Sequence, residues 1–153
     1  MQRILVVDDM ATNRELLRNI LEDDFAIETA ENGESALIKL QEYGEDMAAV
    51  LLDLQMPKMD GFAVIATMKR NGWLNKIPVL IISSEHAAEI ENGCLELGVS
   101  DFIHKPFDAS IVRNRVKNTL DLFAYKNRLE ETVENHRKTL RHPDSIIEIQ
   151  AER

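Results

Sequence analysis

The stretch RILVVDDMATNRELL, residues 3–17, opens with five residues suited to a buried strand and runs straight into Asp8 and Asp9. A hydrophobic core has no use for two adjacent carboxylates, so their place at a strand end calls for another cause. A helical pattern follows. Thr12 with Glu15 three residues on reads as a capping box, and Leu16, Leu17, Ile20 and Leu21 recur at helical spacing.

The same alternation recurs along the chain. AIETA (26–30) is a weaker second strand, and Asn32-Gly33 leads into a helix through Ala36, Leu37 and Leu40. AAVLLDL (48–54) is a third strand that meets Asp53, followed by the loop QMPKMDG and a helix closed by Asn71-Gly72. IPVLIISS (77–84) is the fourth, with Pro78 at its start where it breaks no ladder. HAAEIENGCLELG reads as a fourth helix interrupted at Gly93, and SDFIHKPF holds a short fifth strand. Strands 1, 3 and 4 are apolar nearly throughout, as strands covered on both faces are. The expected fold is α/β: a doubly wound, five-stranded parallel sheet.

From Ala109 no Pro or Gly appears before Pro143, so the last helix is expected to be long, capped by Asp108. Ile111, Val112, Val116, Leu120 and Phe123 suit packing on the sheet, whereas Leu122, Tyr125, Leu129, Val133 and Leu140 form a thin seam fit for a short coiled coil. The expected division is therefore a domain over 1–123 and a helical extension or linker over 124–153. The final DSIIEIQAER reads as the start of a further module.

The 153 residues support one sizeable core. No apolar run approaches the ~20 residues that cross a bilayer, so no membrane association is expected. The opening Met-Gln-Arg-Ile leads directly into a strand, and the cytoplasm is the expected location. Residues 1–110 carry 20 acidic and 9 basic side chains against 7 and 9 in the remainder. So acidic a body argues against direct nucleic-acid binding. Cys94 reads as a core thiol, Trp73 as a packing anchor, and His86, His104, His136 and His142 as ordinary histidines with no phosphodonor features around them.

In an open parallel sheet, ligands bind beyond the carboxyl ends of the strands. This chain brings Asp8, Asp9, Asp53, Ser83, Ser84 and Lys105 to that end. Three carboxylates in one cleft repel, by about 4 kcal/mol for a pair ~4 Å apart at an effective dielectric of ~20. Lys105 neutralises one charge. An oxygen-only ligand set carrying the remaining two suits Mg²⁺ rather than zinc. A metal beside a third carboxylate points to phosphoryl chemistry, with Asp53 as nucleophile and Lys105 and the Ser83 hydroxyl on the phosphoryl oxygens.

ILVVDD, LLDLQMPKMDG, PVLIISS and DFIHKPF together closely resemble the CheY-like receiver domain of bacterial two-component response regulators, over roughly residues 1–123. The resemblance implies a flavodoxin-like strand order 2-1-3-4-5. It makes Asp53 the phosphoacceptor, served by a histidine kinase or a histidine phosphotransfer protein. It implies that Asp9, Asp53 and the backbone carbonyl of Gln55 hold Mg²⁺ directly and Asp8 through water. Ser83 and Phe102 become switch residues, Lys105 the family's lysine with a cis bond to Pro106, and Gln55 and Glu85 tuners of phosphate lifetime. Two positions depart mildly from the commonest pattern: Phe102 stands for Tyr and Ser83 for Thr.

The expected function is a switch that catalyses only its own phosphoryl transfer and autodephosphorylation. Phosphorylation would repack the face of helix 4, strand 5 and helix 5, controlling homodimerisation through the last helix or an output domain missing from this chain. A Mg²⁺-dependent aspartyl-phosphate phosphohydrolase is the alternative enzyme, but that class wants an acid two residues after its nucleophile, where this chain has Met10 or Gln55. A non-phosphorylated scaffold is the other alternative, and the intact set of site residues argues against it.

Overall fold

A computed structural model describes residues 1–84 and 88–141, with the backbone alone at 138–141. Five strands, β1 (Arg3–Val7), β2 (Ala26–Ala30), β3 (Met47–Asp53), β4 (Val79–Ser83) and β5 (Asp101–His104), form one sheet in the order β2-β1-β3-β4-β5. All four pairings are parallel. The helices are α1 (Ala11–Leu21), α2 (Gly33–Tyr43), α3 (Gly61–Arg70), α4 (Ala88–Leu97) and α5 (Ala109–Arg141). The chain forms two compact units, Met1–Leu120 and Asp121–Arg153.

The side-chain period of two sorts each strand between the two faces. Leu5, Val7, Val50, Leu52, Val79 and Ile81 join a core with Leu40 of α2, Ile65 and Met68 of α3 and Cys94 of α4. Ile4, Val6, Leu51, Leu80 and Ile82 join the opposite core with Leu17 and Leu21 of α1 and Val112 and Val116 of α5. Both faces are thus covered, which is why these strands read as unbroken apolar runs. Cys94 is buried as expected, burial pushes its thiol pKa up, and Trp73 packs against the first core.

Several local expectations need correction. Thr12 does not cap α1: Met10 is the N-cap, with no side-chain cap bond, and the helix begins one residue before Thr12. The cause lies upstream, because Asp8 Oδ1 accepts from Met10 N at 2.9 Å and so fixes the turn into the helix. Gly93 does not interrupt α4, which runs unbroken past it. Ile111 is exposed on α5 rather than packed on the sheet, while Val112 and Val116 are fully buried. β4 starts at Val79, beyond Pro78, and the Pro78 carbonyl accepts from Val50 N. The cap read at Asp108 is present, accepting from Ile111 N; Asn32 caps α2, accepting from Ser35 N, and Gly72 takes the left-handed φ of 73° that closes α3. Glu85, His86, His142, Pro143 and the DSIIEIQAER segment lie outside the described residues.

Gly61, first residue of α3, ties the loop after β3 to the strand. Its N–H donates to Leu54 O at 3.0 Å, and a Cβ built there would lie 2.5 Å from Asp53 O and 2.8 Å from Leu54 Cα. Backbone cannot yield as a flexible side chain does, so Gly61→Ala should cost about 1–3 kcal/mol through forced displacement. Urea unfolding measures this. An unchanged midpoint would show that the close approach imposes no constraint.

Candidate functional site at the carboxyl ends of the strands

The chain leaves β1 for β2 on one side and later returns to β3 on the other, so the order reverses between β1 and β3. A crevice opens at such a reversal. Register brings the ends together: Val7 pairs with Leu52, Asp53 with Ile82 and Ser83 with His104. Asp9, Met10, Asn13, Asp53, Gln55, Ser83, Ser84, Lys105 and Pro106 line one pocket there. The Lys105–Pro106 bond is cis, as the resemblance to receiver domains implied.

Asp8 and Asp53 are held alike. Asp8 Oδ1 accepts from Met10 N at 2.9 Å and Asp53 Oδ1 from Gln55 N at 3.1 Å, each an Asx turn two residues on. That spends one oxygen of each carboxylate and leaves the other facing the cleft. There Lys105 Nζ lies 3.3 Å from Asp8 Oδ2 and 3.3 Å from Asp53 Oδ2. One ammonium is shared by two buried acids.

Asp9 is exposed at the rim, yet carboxylate oxygens of Asp8, Asp9 and Asp53 lie within 4.8 Å of one another. Burial, with help from the Asp8 charge, pushes the Asp53 pKa up against the opposing pull of Gln55 N–H and Lys105. The cleft therefore holds more negative charge than Lys105 offsets. All its ligand atoms are hard oxygens, which fits a small divalent cation such as Mg²⁺. Ser83 is buried in the pocket wall, and Phe102 is buried in the core that contains α4.

Two partners of Asp8 carried no sequence signature: Asn13 Nδ2 donates to its Oδ2 at 3.2 Å, and Arg14 Nη1 to its backbone carbonyl at 2.7 Å. Lys58, in the loop after β3, adopts φ 68° without being glycine, which also left no mark in the sequence.

A family model described as "Response regulator receiver domain" matches residues 4–117. The chain belongs to that family. It is the receiver domain of a response regulator, and among solved structures it resembles chemotaxis protein CheY4 of Vibrio cholerae, with a TM-score of 0.71 and 26% identity over 78% of this chain and 98% of that one. It is 39% identical over 109 residues to a protein-glutamate methylesterase/protein-glutamine glutaminase of Treponema denticola, covering 68% of this chain and 28% of the relative. It is 33% identical over 135 residues to a probable cyclic di-GMP phosphodiesterase of Vibrio cholerae, covering 84% of this chain and 30% of the relative. The receiver thus spans less than a third of the length of these curated relatives. Among the described residues, no helix is long and apolar enough to cross a membrane.

The folded-state pKa of Asp53 lies above its ordinary value, so its ionisation costs stability. That cost is absent below the unfolded-state value, grows as pH rises through the folded-state one, and persists at neutral pH. Asp53→Asn should therefore raise the melting temperature at neutral pH in magnesium-free buffer, with the gain shrinking as pH falls through the carboxylate range. Thermal melts across pH decide it, and a variant less stable at neutral pH would contradict the stated balance.

Proposed function

We propose that Asp53 accepts a phosphoryl group from a phosphohistidine of a kinase or phosphotransfer protein, and that the resulting aspartyl phosphate is the signal. The observation that carries this is Lys105 Nζ, 3.3 Å from the oxygens of both Asp8 and Asp53 and so placed to move from carboxylate to phosphoryl oxygen. Asp9, Asp53 and the carbonyl of Gln55 would hold Mg²⁺ directly, with Asp8 acting through water. When bound, that ion supplies positive charge to the phosphoryl oxygens.

A carboxylate oxygen of Asp53 attacks phosphorus, the P–N bond breaks, and imidazole leaves with the electron pair. Lys105 and the Ser83 hydroxyl stabilise charge on the equatorial oxygens. Gln55 and Glu85, two residues after the acceptor and the switch hydroxyl in sequence, would tune the lifetime of the acyl phosphate. Asp53→Asn should abolish label transfer from acetyl phosphate, whereas labelling that persists would place the acceptor elsewhere.

The output we propose is a change in association. Ser83 and Phe102 would relay the phosphoryl state to the face of α4, β5 and α5. Leu122, Tyr125, Leu129 and Val133 are all at least half exposed on α5, at spacings suited to a helix of a second copy. Sedimentation with and without beryllofluoride tests this: a rise in mass with the phosphoryl mimic is expected, and an unchanged mass would remove the dimer switch without touching the acceptor assignment.

A further inference from the structure

Asn13 lies in the first turns of α1, half-buried in the wall of the pocket that holds Asp9, Asp53, Ser83 and Lys105. Its Nδ2 donates to Asp8 Oδ2 at 3.2 Å and approaches the Met10 sulfur at 3.7 Å. Asp8 is fully buried, and among the described residues its carboxylate has three partners: Met10 N on Oδ1, and Asn13 Nδ2 and Lys105 Nζ on Oδ2. Of the two on Oδ2, one is charged and shared with Asp53, and the other is neutral and shared with no second acid.

We propose that Asn13 is a positioning residue of the phosphoryl-transfer site: its amide holds Asp8 in place for the divalent cation and frees Lys105 to serve Asp53. This rests on the reading of the acidic cluster as a magnesium site. Two physical points carry it.

The first is charge. Three carboxylates against one ammonium leave two net negative charges, the amount a divalent ion offsets. A lysine or arginine at position 13 would steady Asp8 equally well but cancel half of that charge. An amide supplies the donor without the charge. Arg14 does not upset this balance within the carboxylate cluster, since its guanidinium bonds the backbone carbonyl of Asp8 rather than the carboxylate.

The second is timing. Once a phosphoryl oxygen draws Lys105 away, Oδ2 of a buried carboxylate loses its only cationic partner among the described residues. Leaving a buried acceptor unpaired costs more than an average hydrogen bond gains. With Asn13 in place Asp8 keeps a donor throughout. Without it Asp8 competes for Lys105 and shifts away from the ion.

The test is the magnesium dissociation constant of the full chain, read from amide chemical shifts, with a magnesium-free thermal melt beside it. Asn13→Ala should bind magnesium about three- to tenfold more weakly, the net worth of one ordinary hydrogen bond. In an Asp8→Asn background the same substitution should have a smaller effect, because Asn13 acts through Asp8. A folded variant with less than a threefold change overturns the proposal, even if its melting temperature falls, for then the amide merely supports the helix. An equal loss in both backgrounds overturns it as well. Asn13→Leu, close in size and without polar atoms, repeats the measurement should Asn13→Ala fail to fold. If the unaltered chain does not bind magnesium, it is the site reading that fails, which is a different result from equal binding by the chain and its variant.

Discussion

One ammonium shared between two buried carboxylates is the constraint on which the rest of this structure depends. Lys105 Nζ stands equally far, 3.3 Å, from Asp8 Oδ2 and Asp53 Oδ2, and both acids are buried. A single cation cannot satisfy both. The arrangement is therefore poised for a further positive group and costly without one, in keeping with the raised pKa of Asp53. A site optimised for folding alone would have replaced one acid with an apolar or amide side chain. Stability given up at the strand ends is what makes the cleft receptive.

The backbone is arranged to keep that tension in place. Each buried aspartate clamps the amide two residues beyond it, so neither carboxylate can swing off without breaking its own turn. Gly61 then presses α3 onto the carbonyl of Asp53 itself, closer than any side chain would permit. In the same loop, Lys58 accepts a left-handed φ of 68°, a conformation that bulky residues rarely adopt and that functional loops tolerate. Below these turns the sheet is packed on both faces, which makes it a rigid base. The geometry of the acids is thus set by covalent neighbours and by core packing rather than by the ion they would hold.

This division explains what could be read from the chain in advance. The two-sided core and the acids at the ends of β1 and β3 were legible, because burial on two faces forces apolar runs and leaves strand ends as the natural place for charge; the strand order was implied only by the resemblance to receiver domains. Thr12 misled because a capping box presumes that the chain enters its helix freely, whereas Asp8 has already fixed Met10. Ile111 misled because apolar identity does not say which side of a helix faces the sheet, and Val112 took the inner side. Gly93 costs α4 some stability but packing keeps the helix whole. Asn13 was invisible: a neutral amide on α1 has no spacing to betray it, and its meaning comes only from what lies 3.2 Å away.

In the second unit, the described residues continue α5 to Arg141. Within it, Lys126 reaches Glu130 at 3.8 Å and Arg137 reaches Glu134 at 4.0 Å, pairs that contribute only a few tenths of a kcal/mol each. The stretch from Asp121 to Arg141 extends about 30 Å at 1.5 Å per residue. A helix that long can persist in water on propensity and such pairs, and neither needs an apolar stripe. Leu122, Tyr125, Leu129 and Val133 nevertheless recur at spacings of three and four, and all four are at least half exposed. Polar residues there would serve solubility and helix formation equally well. Under the proposed association, these are the side chains that a helix of a second copy would cover.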